Sequence, residues 1–271
     1  MVKQNLHTHT RYCDGINTPE EMVEGALSLD LTSIGFSGHA PLPIPNDFAM
    51  TPQARDAYLS HLSRLKEHYR DRIRIFIGVE LDYYSEEDLS LYDYSIGSTH
   101  YVKTEEGYHA VDDSRNGVLA AIRSSFGGDP IAYARAYYEN VVAFAEKMPY
   151  DIVGHFDLLT KYEEGDGFFG ACAEAYCTVA REALHAVARH KRIFEVNTGA
   201  IARGYRTTPY PARFLLEEMH ALGVGIVLTS DCHDARRLTC RFSEAKELLS
   251  EIGFRSLLAL TEHGWEEHPV L

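Results

Sequence analysis

"QNLHTHTRYCDG", residues 4–15, is a short β-type run that ends in His7 and His9, with Asp14 five positions further on. Alternate residues of a strand share one side, so the two imidazoles can converge on one point. The same pattern recurs downstream. Runs at 32–38 (TSIGFSG), 73–83 (IRIFIGVELDY), 94–100 (YSIGSTH), 151–155 (DIVGH), 192–197 (RIFEVN) and 224–230 (VGIVLTS) read as strands. His39 follows the second run, Glu80 lies within the third, and His100 and His155 end the fourth and fifth. Asp231 and His233 follow the last.

Between these runs the apolar spacing changes to three and four. Residues 53–70 place Ala54, Tyr58, Leu62, Leu65 and Tyr69 on one helical face, and 130–148 does the same behind Pro130. Further helices fit 18–30, where Thr18, Pro19 and Glu21 form a capping signal, and 171–190, 210–222 and 242–252. Residues 102–129, poor in periodicity and containing Gly127 and Gly128, are expected to form a long loop with some local structure. Seven β/α units imply a mostly parallel sheet, closed into a barrel one unit short of the (β/α)8 plan or left open and doubly wound. With no repeat, linker or low-complexity tract, residues 1–271 are expected to form one domain.

Either architecture gathers the carboxyl ends of its strands on one face, where such folds build their sites. Nine candidate ligands then collect there: His7, His9, Asp14, His39, Glu80, His100, His155, Asp231 and His233. A single catalytic zinc takes about three protein ligands, so nine suit two or three divalent ions sharing a bridging carboxylate. Imidazole with carboxylate fits Zn, Fe or Mn. Cys13 and Cys232, beside Asp14 and Asp231, are expected to pack rather than ligate. The remaining histidines, His61 among them, are expected to be solvated.

The composition narrows the partners. Lys and Arg number 26 against 40 Asp and Glu, a formal charge of −14, which disfavours a nucleic-acid or anionic-membrane binder. Five cysteines without a paired CxxC pattern, no apolar leader-like run and no long apolar stretch lead us to expect a soluble protein of the reducing cytoplasm.

The ordered set HTHT…D, FSGHAP, GVE, GSTH, GHFD and SDCH resembles the PHP (polymerase and histidinol phosphatase) superfamily, and within it the histidinol-phosphate phosphatases. The resemblance implies a distorted (β/α)7 barrel, three divalent metal ions and hydrolysis of L-histidinol phosphate. It gives His7, His9, Glu80 and Asp231 to one ion, Glu80, His100 and His155 to a second, and Asp14, His39 and His233 to a third. It also implies a phosphate cradle of Arg203 and Lys161. Arg203, Asp231 and His233 are the expected catalytic residues. Phosphate monoesters resist hydrolysis strongly, so a site of concentrated positive charge that activates water in line with the leaving oxygen suits them. The substrate's ammonium and imidazole need acidic or aromatic contacts, for which Asp113 is the candidate, with Asp112, Tyr101 and Asp157 also placed to meet them. Rival readings are a protein-tyrosine phosphatase, a nuclease-like module and a non-catalytic metal-binding module.

Overall fold

The computed structural model describes residues 3–165 and 167–271. Its strands are β1 (Gln4–Asn5), β2 (Ser33–Phe36), β3 (Arg74–Asp82), β4 (Tyr94–Ser98), β5 (Tyr101–Thr104), β6 (Gly107–Ala110), β7 (Ile152–Val153), β8 (Ile193–Asn197), β9 (Gly225–Thr229), β10 (Ser256–Thr261) and β11 (Gly264–Pro269). Its helices are α1 (Pro19–Ser28), α2 (Pro52–Tyr69), α3 (Arg115–Ser125), α4 (Pro130–Lys147), α5 (Ala173–Val187), α6 (Gly199–Ala202), α7 (Arg213–Ala221) and α8 (Phe242–Ile252). All seven expected strands pair in parallel, in the order β1-β2-β3-β4-β7-β8-β9.

The sheet curls until its first and last strands meet, giving the distorted (β/α)7 barrel rather than an open sheet. The join lies just past the named strands, where Thr8 bridges Cys232 in parallel and His9 N donates to Cys232 O at 2.8 Å. Deeper in the seam a side chain takes over the ladder's role. Asn5 Nδ2 donates to Ser230 Oγ at 2.7 Å and Leu238 O at 3.0 Å. Gln4 pairs with Leu260 in peptide fashion, accepting from its N–H at 3.0 Å and donating to its carbonyl at 2.9 Å.

β3 shows how alternation builds the interior. Its outward residues Ile75, Ile77, Val79 and Leu81 pack under the helices. Its inward residues run from Phe76 in the barrel core through Gly78 to Glu80 and Asp82 near the mouth. Gly78 is required by close approach: a Cβ there would stand 2.3 Å from Cζ of Tyr94, whose ring fills the barrel. The barrel is thus apolar at its floor and polar at the carboxyl ends of its strands.

The helices follow their caps. Thr18 and Glu21 close the expected capping box of α1, and Thr51 and Asp129 cap α2 and α4 ahead of Pro52 and Pro130. Tyr58, Leu62, Leu65 and Tyr69 bury the α2 face as expected. Residues 102–129 are more regular than the expected long loop with some local structure. They hold most of the antiparallel hairpin β5–β6 and all of α3, which Ser114 caps. A two-residue Glu105-Glu106 turn carries no Asn-Gly signal, and Gly107, at φ 126°, supplies the unusual backbone only after it. The terminal hairpin β10–β11, against whose cluster Trp265 packs, was also outside the expected strand set.

Candidate metal centre

At the mouth of the barrel the structure brings all nine candidate residues together. Their donor atoms fall into four overlapping groups: His7, His9 and Asp231; His7, Glu80 and His155; His39, Glu80 and His100; and His9, Asp14, His39 and His233. Glu80 is the hub. Its Oε2 lies 3.2 Å from His7 Nε2, 3.5 Å from His9 Nε2 and 3.0 Å from His39 Nδ1. Its Oε1 lies 3.0 Å from His155 Nε2 and 3.6 Å from His100 Nε2. Asp231 Oδ1 stands 3.1 Å from His9 Nε2 and 3.6 Å from His7 Nε2, and Asp14 Oδ2 stands 3.0 Å from His233 Nε2.

Two observations fit this donor set to cations. The separations match ligands sharing an ion, since two donors about 2.1 Å from a tetrahedral centre lie about 3.4 Å apart. The buried atoms His7 Nε2, His9 Nε2 and Glu80 Oε2 also have no hydrogen-bond partner, although they face one another. Buried polar atoms in native proteins are almost always satisfied, and lone pairs gathered at one point are satisfied by a cation.

The groups behind the donors orient them. His7 Nδ1 donates to Glu195 Oε2 at 2.8 Å, which turns its Nε2 lone pair toward Glu80. Glu195 is fully buried and also accepts from Asn197 Nδ2 and Thr229 Oγ1. Asp82 accepts from the backbone N–H of His100 at 2.8 Å, and its Oδ2 faces Nδ1 of that imidazole at 3.3 Å. Neither residue was a sequence candidate. A lone carboxylate inside an apolar strand was the available signal, the one that picked out Glu80, and in "RIFEVN" it points to Glu195.

Burial opposes charge on each of these groups, and neighbours decide the outcome. It prevails at His39, holding the imidazole down at about 3. At His100 burial is outweighed by Asp82 and Glu80, and the pKa rises to about 9. At Asp231 burial is outweighed by Arg203 and the surrounding imidazoles, and the carboxyl stays well below its ordinary range. A proton and a metal ion compete for an imidazole lone pair, so an ion bound at His100 displaces a proton.

A cavity of about 430 Å³ opens over the cluster, and Lys161, Arg203, Asp112, Asp113 and Tyr101 line it with several of the donors. Arg203 forks onto Asp231, donating to Oδ2 at 2.9 Å and to the carbonyl at 3.1 Å, and its Nη1 lies 3.0 Å from His233 Nδ1. Lys161 Nζ donates to Asp112 O at 2.7 Å and lies 4.6 Å from the ring centre of Tyr205. Asp157, the other acidic candidate, is not on this wall. It is fully buried and accepts from Ala212 N, because its strand-end position turns it into the core. His61 is not simply solvated either. It bridges Tyr12 Oη at 3.0 Å and Glu20 at 2.7 Å, tying the loop that carries Asp14 to α1.

The cysteines behave as packing residues. Cys232 lies in the apolar cluster beneath α1 and α2 and Cys13 packs against it, and burial pushes both thiols up to about 12. Cys13→Ser and Cys232→Ser, singly or combined, are therefore expected to retain most metal content and turnover. Complete loss in a folded variant would restore a thiolate role.

The chain belongs to the PHP domain family, which it matches over residues 5–199. It is 27% identical to the histidinol-phosphatase of Bacillus subtilis over 256 residues, 87% of this chain and 95% of that one. It is equally 27% identical to the "Probable histidinol-phosphatase" of Schizosaccharomyces pombe, over 88% of this chain and 82% of that one. The histidinol phosphate phosphatase of Lactococcus lactis, solved with zinc, L-histidinol and phosphate, shares the fold at a TM-score of 0.71 and 21% identity, covering 97% of this chain and 98% of that one.

Proposed function

We propose that this chain is a metal-dependent phosphomonoesterase that hydrolyses L-histidinol phosphate to L-histidinol and phosphate. The observation that carries the reading is the convergence of nine imidazole and carboxylate donors, some without hydrogen-bond partners, beneath a cavity lined by two cations. The curated relatives, named histidinol-phosphatases and aligned over most of this chain, supply the substrate. We assign three divalent ions to these donors: one at His7, His9, Glu80 and Asp231, a second at Glu80, His100 and His155, and a third at Asp14, His39 and His233. Zn, Fe and Mn all suit imidazole with carboxylate. Such ions, when bound, supply Lewis acidity that makes water nucleophilic at neutral pH and offsets charge on the phosphoryl group.

The chain's own groups do the rest. Arg203 and Lys161 reach the phosphoryl oxygens and stabilise the charge that builds there. The proton released by the attacking water passes to the leaving alkoxide through Asp231 or His233, which line the cavity side by side against Arg203. Asp113 faces the ammonium end of the substrate. No helix among the described residues is long and apolar enough to cross a membrane, and the five cysteines are free, in keeping with work in a reducing cytoplasm.

The test is phosphate release from L-histidinol phosphate, phosphotyrosine and single-stranded DNA, with and without a chelator. Turnover is expected on the first, abolished by chelation and restored by Zn, Mn or Fe. Preference for phosphotyrosine or DNA would overturn the reading.

A further inference from the structure

Phe48 lies in the loop between β2 and α2, and its ring is spent on the site rather than on the core. Among the described residues it belongs to none of the three hydrophobic clusters. Its ring stands edge-on to His39 at 4.7 Å between centres and lies 5.8 Å from His100. On its other contact it runs nearly parallel to Tyr101, at 6.3 Å and an interplanar angle of 20°. Tyr101 too is absent from the three clusters, although it is buried. Both rings line the cavity above the metal centre. Two aromatic side chains are thus held side by side against the substrate space, next to two imidazoles of the donor set.

The charge on this wall is negative. Asp47, Asp112 and Asp113 line the cavity with the rings, and together with burial and Asp82 they push the Tyr101 hydroxyl up to about 12. Lys161 pairs with Asp112, whereas Asp47 and Asp113 stand in no ion pair among the described residues. An aromatic face with uncompensated carboxylates beside it suits a flat cationic ring, through stacking and cation–π attraction. A simple phosphomonoester offers nothing to such a wall. An imidazole does.

We infer that Phe48 is a specificity-determining residue that receives the imidazole ring of the substrate, with Tyr101 extending the face and Asp47 supplying counter-charge. The inference rests on the proposed hydrolysis of L-histidinol phosphate. It adds a loop residue, outside the donor set and the phosphate cradle, that separates this substrate from other phosphomonoesters.

The two products report the two halves of the cavity separately, so each is used as an inhibitor of L-histidinol phosphate turnover by the metal-loaded enzyme. In Phe48→Ala the inhibition constant of L-histidinol is expected to rise by about tenfold or more, the loss of one aromatic contact with its cation–π share. The constant for inorganic phosphate should rise far less, and metal content should match the wild type. Phe48→Tyr, which keeps the ring, should restore L-histidinol inhibition. Inhibition constants do not depend on the folded fraction, so partial misfolding leaves the comparison intact. Equal rises for both products, or no rise for L-histidinol, would overturn the inference while the proposed function stands. A wild-type enzyme inert on L-histidinol phosphate that hydrolyses other phosphomonoesters would overturn both.

Discussion

Glu80→Gln is expected to empty most of the metal centre and lower kcat/KM by roughly 10³-fold or more, because the hub carboxylate loses its charge and a strong donor atom at once. Five imidazoles lie within 3.0–3.6 Å of its two oxygens, so no neighbouring carboxylate can take its place. The change is nearly isosteric, and Ser98 Oγ, which donates to Oε1 at 2.6 Å, can still bond an amide oxygen. The metal-free fold should therefore survive. Elemental analysis and thermal melting with and without added zinc check this: zinc should raise Tm in the wild type by binding the native state, and raise it much less in the variant. Full metal occupancy with normal turnover would sink the shared-carboxylate assignment.

Arg203→Ala is expected to lower kcat/KM by on the order of 10²-fold, the usual loss for one preorganised electrostatic donor. The guanidinium already grips Asp231 through Oδ2 and the backbone carbonyl, so two explanations of a defect must be separated. Oδ1 of Asp231, the oxygen facing His7 and His9, is not the one that Arg203 holds. Metal content should therefore be retained. If kcat and kcat/KM fall together with the metal in place, the contact acts in the transition state, while a rise in KM alone indicates uniform binding. Arg203→Lys should recover only part, since one ammonium cannot reproduce the fork. Loss of metal in step with activity would make Arg203 a support for Asp231.

The barrel was legible because its strands are short apolar runs ending in chemically conspicuous residues. Each His or carboxylate marked both a strand end and a donor, so topology and site emerged from the same positions. What escaped had no such mark. Hairpin β5–β6 turns on two glutamates, and β10–β11 is tied to the barrel where the Gln4 side chain meets Leu260 across most of the chain's length. Glu195 looked like one charge in an apolar run until its buried bond to His7 explained it. Asp157 was misplaced because sequence proximity to His155 does not fix which way a residue turns after a strand ends. Phe48 lies in a loop with no periodicity to read.

The seam between β1 and β9 gives the donor set a second meaning. His7 and His9 lie on one lip of that seam and Asp231 and His233 on the other, while the backbone ladder there is reduced to a few bonds around Thr8 and Cys232 and the amide of Asn5. The candidate donors are thus also the two halves of a clasp. A cation shared across the lips would fasten the first strand of the cylinder to its last, adding its binding free energy to a hoop that the backbone bonds around Thr8 and Cys232 already close.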